Sequence, residues 1–297
     1  MHQSVLREEL LYWLQPKSGG VYVDGTVGEG GHSEAILEAS APDARVIGFD
    51  RDPNAVAAAR ERLGIFGARV IIKHDDYRNA TRVLGEMSLD KIDGAVLDLG
   101  VSSRQLDTAA RGFSFLNNGP LDMRMNTEDS ATAADLVNRL PEAELARIIY
   151  EFGEERYSRR IARAIVRRRQ SDPILTTQAL VDVIRGSVPT PYLYGRLHFA
   201  TRTFQALRIT VNRELEGLDA SLKSLAVLLA PGGRLAVIAF HSLEDRIVKH
   251  TYRDMASGPL GYRVLTKRPI VPSADECANN PRARSAKLRV IEKEAAA

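Results

Sequence analysis

From Val21 to Gly100 the chain alternates short apolar runs with amphipathic stretches, a rhythm that allows few folds. The runs VYVD, RVIGFD, RVIIK and IDGAVLDLG are almost continuously apolar, as strands covered on both faces are. The segments between them are too long for hairpins and carry helical periodicity, so successive strands pair in parallel through crossover helices. The fold class predicted is α/β, a doubly wound Rossmann-like sheet, and ligands bind such sheets at the carboxyl ends of the strands.

After Gly100 the rhythm breaks. From Thr132 to Arg185 apolar residues recur at helical spacing with no strand, and Arg196 to Leu229 reads as further helix. The segment LAPGGRLAVIAF then gives a turn and a strand, and a helix follows from about Ser242 to Met255. The runs YRVLT (262–266) and KLRVI (287–291) close the sheet across a long loop. A sheet domain interrupted by an all-helical insertion fits this order.

Composition narrows the function. A chain of 297 residues, 44% apolar and 27% charged, buries the core of one large or two ordinary domains. No apolar run approaches the roughly 18 residues of a membrane span, and the start, MHQSVLREELLYWL, is acidic where a secretory signal is basic. A cytoplasmic location is expected. The single cysteine, Cys277, excludes an internal disulfide and offers no zinc spacing, so neither staple nor metal is implied. The net charge is only +3, but Arg104 to Arg213 holds 17 arginines, no lysine and 12 acidic residues, which gives that third +5. Arginine without lysine suits planar, bidentate phosphate or base contacts, although a high-GC genome produces the same bias.

The first apolar run ends in Asp24 and enters GTVGEGGHS, placing Gly25, Gly28, Gly30 and Gly31 between a strand and a helix start. Such a loop brings backbone N–H groups close to a nucleotide. The strict G-x-G-x-x-G fingerprint fails at Ser33, and no G-x-x-x-x-G-K-[ST] occurs. Asp24 and Glu29 make a poor setting for pyrophosphate and a tolerable one for a sulfonium and an α-amino group. Asp50, about 20 residues beyond the loop, can accept ribose hydroxyls, with Asp52 and Pro53 opening the next helix. NAD enzymes use the same ribose device. Asp76 or Tyr77, in HDDY after the third run, would meet an adenine or form a surface turn. Asp98 ends the fourth run in AVLDLGVSS, and a carboxylate there needs a partner or a task.

The ordered motifs DGTVGEGGHS, FDRDPNA, DLGVSSRQLD, RGFSF, PLDMRM, TFQALRITVNREL, IAFHSLEDRIVK and NPRARSAKLR resemble, almost from end to end, the bacterial 16S ribosomal RNA cytosine-N4 methyltransferase family (MraW/RsmH type). The resemblance implies a Rossmann-like methyltransferase core that binds S-adenosylmethionine, residues 1–105 and 211–297, and a helical insertion at 106–210 for RNA recognition. It implies methylation of N4 of one cytidine in the decoding region of 16S rRNA, with an assembled or nearly assembled small ribosomal subunit as substrate. Carried over by motif, the cofactor contacts are Gly30, Gly31, His32, Asp50, Tyr77, Asp98 and Gln105.

Methylation of pyrimidine C5 generally needs a cysteine nucleophile near the fourth-strand loop, and Cys277 lies far along the chain. Direct transfer to an exocyclic amine, a ring nitrogen or a hydroxyl remains. For an exocyclic amine, catalysis must align the nitrogen with the methyl and draw its hydrogens toward acceptors. The candidates are the Asp98 carboxylate or the carbonyls of LGVSS, assisted by Ser102 or Ser103. His241 is a second candidate, although Ser242 to Asp245 has capping-box spacing and His241 can simply set that helix start. His32 is expected to orient the cofactor loop. The chain lacks the Asp/Ser-Pro-Pro-Tyr loop of many amino-methyltransferases.

A target base must leave its stack, so Phe113, Phe115, Tyr192 and Tyr194 are candidate stackers, or core residues between helices. Arg156, Arg159, Arg160, Arg163 and Arg167 form one helical stripe suited to phosphates, unless Glu151, Glu154 and Glu155 neutralise it. Arg282, Arg284, Lys287 and Arg289 are expected to close over the RNA. Two other classes remain open from the residues alone: an NAD-type dehydrogenase, and a non-enzymatic RNA-binding or ribosome-assembly protein.

Overall fold

The computed structural model describes residues 4–295. Its residues fall into two compact units, Met1–Gly100 with Gly217–Ala297, and Val101–Glu216.

The first unit is built on one seven-stranded sheet in the order β3-β2-β1-β4-β5-β7-β6. Its strands are β1 (Val21–Asp24), β2 (Arg45–Asp50), β3 (Val70–His74), β4 (Ile92–Asp98), β5 (Leu229–Ala239), β6 (Tyr262–Val264) and β7 (Lys287–Lys293). The first five pair in parallel, while β7 runs antiparallel to both β5 and β6. The doubly wound α/β class predicted from the apolar runs is the one observed. Consecutive strand residues go to opposite faces, so Tyr22, Val46 and Val96 join one core beneath α1 (Arg7–Leu14), α2 (Gly31–Ala39) and α3 (Pro53–Leu63). Val23, Ile47, Ala95 and Leu97 join the other. That second core is closed by α4 (Ala80–Glu86), and later in the chain by the helices Leu218–Leu228 and Ser242–Ala256.

The strand order reverses between β1 and β4, the crevice where open α/β sheets receive ligands. Register sets three carboxylates along this edge. Asp24 ends β1 opposite Gly48 and Val96, and Asp50 and Asp98 lie two residues farther along their own strands.

The second unit contains α5 (Ser103–Asp107), α6 (Ala133–Arg139), α7 (Glu142–Glu151), α8 (Ser158–Arg169), α9 (Thr177–Ser187), α10 (Thr190–Leu193) and α11 (Thr201–Asn212). Ile149, Ile161, Ile165, Leu180, Ile184 and Phe204 form its core. Two asparagines pin its loops: Asn138 bonds both backbone groups of the Ile174 segment, accepting from Ile174 N at 2.9 Å, and the buried Asn212 accepts from Met125 N at 2.7 Å.

Three local expectations are corrected. The helix expected across Arg196 to Leu229 is two, α11 and α12 (Leu218–Leu228), because Arg213 (φ 51°) and Gly217 (φ 67°) turn left-handed between them. The turn expected at Pro231-Gly232-Gly233 lies inside the strand and not ahead of it: β5 already starts at Leu229, Gly232 is left-handed (φ 78°), and the strand bulges there against β4. In α13 (Ser242–Ala256) the cap is His241 with Glu244, one residue before the pair expected from spacing. Among the described residues, no helix is long and apolar enough to cross a membrane.

Candidate functional site at the carboxyl edge of the sheet

The glycine loop after β1 is tight because it presses on its neighbours. A Cβ on Gly25 would lie 2.1 Å from Leu97 Cδ2 and 2.9 Å from Tyr77 Cβ, so only glycine fits. Gly30, at φ 87°, turns the chain into α2. Asp24, 1% exposed, anchors the loop from beneath, accepting Ser33 Oγ at 2.7 Å and Thr26 N at 3.2 Å. Burial raises its carboxyl above the ordinary range, and these bonds offset only part of that. Ser33, which broke the dinucleotide fingerprint, is therefore a structural donor from the first turn of α2 to the foot of the loop.

Thr26 links the loop to the neighbouring strand. Its hydroxyl accepts the Asp98 N–H at 2.6 Å, which fixes the backbone of Asp98 at the switch point. From the first turn of α2, His32 directs Nε2 at Asp98 Oδ2 across 3.4 Å, an electrostatic contact longer than a well-formed hydrogen bond. His32 is 6% exposed, and neither of its ring nitrogens makes a hydrogen bond; Asp98 Oδ1 is likewise buried without a donor. Burial acts most strongly on this imidazole and favours its neutral form. Asp98 and the more distant charge of Asp24 outweigh it, and the ring is raised above its usual range. Buried polar atoms without partners are uncommon, and several at one switch point mark a place where a ligand supplies the missing donors and acceptors.

Asp50 ends β2 with one oxygen accepting Gly28 N at 2.9 Å and the other Asp52 N at 2.8 Å. Burial pushes its carboxyl up to about 6 in spite of these bonds. Asp52 caps α3, accepting Asn54 N at 3.0 Å, so the two aspartates divide as expected between edge and cap. After β3, Asp76 caps the Tyr77–Asn79 turn and is held by Arg78, whose Nε lies at 2.8 Å. Burial works against its charge, but Arg78 and Arg51 hold the carboxyl below the usual range. Of the two expected adenine contacts, Tyr77 is thus the one lying against Gly25 and the loop.

His241 accepts Glu244 N at 3.4 Å through Nδ1 and sets Nε2 3.2 Å from Glu244 Oε1, while Glu244 accepts Phe240 N at 2.8 Å. This is a helix cap with its acceptor side in use. Ser102 and Gln105 belong to the helical unit, where they form the capping box that opens α5: Gln105 N donates to Ser102 Oγ at 3.2 Å and Ser102 N to Gln105 Oε1 at 3.0 Å. Gly30, Gly31, His32, Asp50, Tyr77, Asp98 and His241 all lie in the sheet unit. Thr26 escaped the sequence reading, because nothing in the loop's spacing shows that its hydroxyl faces the adjacent strand.

The basic tail behaves differently from expectation. Arg289 is buried in β7 and bonds Asp245 at 2.6 Å, with Lys287 at 3.3 Å from the same carboxylate, so both are structural. Only Arg282 and Arg284 of that group are exposed. Cys277 lies on α14 (Ala274–Asn279), whose Glu276 accepts Leu6 N at 2.8 Å, and not at the end of β4.

A family model described as the MraW methylase family matches residues 1–294. The chain is 55% identical to a protein of Geobacter sp. (strain M21) named Ribosomal RNA small subunit methyltransferase H, with 98% of each chain covered. It is 55% identical to the protein of that name from Geobacter sulfurreducens, again over 98% of each chain. The one from Kosmotoga olearia is 51% identical over 98% of this chain and 97% of its own.

Proposed function

The chain belongs to the MraW methylase family, and from that premise we propose that it transfers the methyl group of S-adenosylmethionine to N4 of a cytidine in the decoding region of 16S ribosomal RNA. The observation that carries this reading is the state of Asp98: backbone fixed by Thr26, one oxygen faced by His32, the other buried without a donor. When bound, S-adenosylmethionine supplies a methyl on a sulfonium, and the S–C electron pair returns to sulfur as the N4–C bond forms.

The residues of the chain hold the parts in line. Asp50 keeps a lone pair on each oxygen for ribose hydroxyls, since each already accepts one amide. Tyr77 offers its ring to the adenine, and Gly30, Gly31 and His32 bound the amino-acid end. The lone pair of the cytosine amine is delocalised into the ring, so attack needs its hydrogens drawn off the ring plane. Asp98 accepts from that amine, and after transfer it takes the proton that N4 must lose. Such preorganised charge in a buried site costs no reorganisation at the moment of reaction. Ser102 and Gln105 join the site through the motif DLGVSSRQLD alone. His241 shapes the segment after β5. The helical unit recognises the RNA, and the substrate is the assembled or nearly assembled small subunit.

The test is incubation with methyl-labelled S-adenosylmethionine and small subunits from cells lacking this protein, with mass spectrometry of the labelled nucleoside. Label in N4-methylated cytidine that disappears with Asp98→Ala is the expected result. Label on another atom overturns the acceptor and keeps the fold; absence of label on both subunits and naked RNA favours a binding protein.

A further inference from the structure

The sequence leaves undecided whether the arginine stripe is a neutralised face or a binding surface; in the structure Arg159, Arg160, Arg163 and Arg167 lie on α8, while Arg156 stands just before it and not on the helix as expected. Glu155 is 0% exposed and lies beneath Tyr192, whose hydroxyl donates to it, and its other oxygen accepts Tyr157 N at 2.8 Å. Glu151 is taken up by Arg147 at 2.7 Å. Arg163 faces Glu142 at 3.6 Å, but Arg156, Arg159, Arg160 and Arg167 are exposed and have no carboxylate partner among the described residues. Neither Glu151 nor Glu155 neutralises these four arginines.

One of these arginines is held in place. The Arg156 guanidinium lies 4.8 Å from the centre of the Tyr157 ring and 5.3 Å from that of Tyr192. The two rings meet edge to face at 5.0 Å. Arg160 lies 5.8 Å from the Tyr157 ring. The phenol of Tyr192 is itself tied down by the buried Glu155, and burial together with that carboxylate pushes its hydroxyl up to about 12. A guanidinium seated on two fixed rings presents a flat, preorganised donor edge.

The segment that follows Tyr192 is exposed from Tyr194 to His198. Two residues after Tyr192, Tyr194 is 83% exposed. Leu197 follows, also exposed, and His198 stacks on Phe115 with centres 4.5 Å apart and planes at 17°. Leu116 stands beside that pair, exposed. Of the four aromatic candidates, Phe113 is buried in the core, Phe115 and Tyr192 are committed to His198 and Arg156, and Tyr194 alone presents an open ring.

We propose that this strip, from Arg160 and Arg156 through Tyr194 to Leu116, is the track for a single-stranded segment of the substrate RNA. Arg156 grips a backbone phosphate, and Tyr194 stacks a base. Exposed arginines together with one open aromatic ring suit single strands, whose bases can splay out, and not a duplex, whose bases are already stacked. Glu155 is a positioning residue that acts through Tyr192. The proposal rests on the rRNA methyltransferase reading above and adds where the RNA lies on the helical unit.

The test is fluorescence anisotropy of the full chain with a short labelled single-stranded RNA and with the same sequence as a duplex. Arg156→Ala and Tyr194→Ala are each expected to weaken single-strand binding roughly tenfold, and the duplex much less. Arg156→Ala also lowers the salt slope by about one, which Tyr194→Ala does not. Arg156→Lys keeps the charge and loses the plane, so it stays weak. Arg139→Ala, an exposed arginine elsewhere on the unit, stays near wild type, and melting curves confirm that all variants fold. If wild-type protein methylates the rRNA while Arg156→Ala and Tyr194→Ala bind single strands normally, the track is overturned and the enzyme reading stands. Equal loss on the duplex overturns the single-strand assignment. An absence of methylated product from wild type overturns the enzyme reading alone, and weak single-strand binding by Arg156→Ala and Tyr194→Ala then still supports the track.

Discussion

At the carboxyl ends of β1 and β4 the charged groups Asp24, His32 and Asp98 are held at short range within the protein, each facing a partner across a few ångströms. At the start of α8 the arrangement is inverted: the cations are exposed, and the one buried charged residue, Glu155, serves to hold a tyrosine. The difference follows from what each region has to do. Charge inside a low-dielectric crevice is costly, so it is kept only where its direction matters, and the backbone amides and hydroxyls around it are fixed. Charge on an open helix face costs little and attracts a polyanion at range, subject to screening by salt. On the proposed reading, the first region serves a chemical step and the second association.

The largest expected effect separates these two roles. Asp98→Asn should lower single-turnover methyl transfer about a thousandfold with RNA affinity nearly intact. Arg156→Ala should do the reverse, raising KM for RNA with kcat preserved. Equal damage to both constants in both variants would break the distinction.

Next in size is a matched pair of glycine substitutions. Gly25→Ala drives a Cβ to within 2.1 Å of Leu97 and should cost about 1–3 kcal/mol in denaturant unfolding, with weaker cofactor binding. Gly186→Ala, inside α9 with nothing within 4 Å of its new Cβ, should be neutral or gain up to about 1 kcal/mol. The same sign for both would show that the loop yields more than its packing suggests.

Tyr192→Phe removes the donor to the buried Glu155 and should destabilise the protein by about 1–2 kcal/mol. It should also loosen single-strand binding, since Arg156 then rests on a less constrained ring.

The last effect is in pH. Asp50 has a folded value raised to about 6, above its unfolded value near 3.8, so the folded state holds its proton more tightly. Its contribution to stability is therefore complete below the unfolded value and lost as pH rises through about 6. The ligand-free protein should lose a few degrees of Tm between pH 4 and 7 from this group, a slope absent in Asp50→Ala. An unchanged slope in the variant would assign the dependence to other groups, such as His32.

The parallel sheet was legible because strands buried on both faces cannot hide their apolar runs, and the helical insertion because its period changes from strand to helix. Asp50 and Asp52 could be given separate roles from the sequence, since Pro53 marks the helix start. Lys287 and Arg289 misled for a corresponding reason. Their sequence neighbours are basic, but their nearest carboxylate is Asp245 on α13, about forty residues away in the chain.

By itself, then, the sequence determined what depends on neighbours along the chain: the strand and helix periods, the left-handed glycines of the loop, and the eight ordered motifs that tie it to its family. Only the tertiary structure decided which distant groups meet. Thr26 reaches the backbone of Asp98 because register sets β1 beside β4, His32 faces Asp98 because α2 starts at that edge, and Glu155 lies under Tyr192 because α10 packs on the start of α8. Those pairings depend on through-space distance and on exclusion from water, and neither is written in the order of residues.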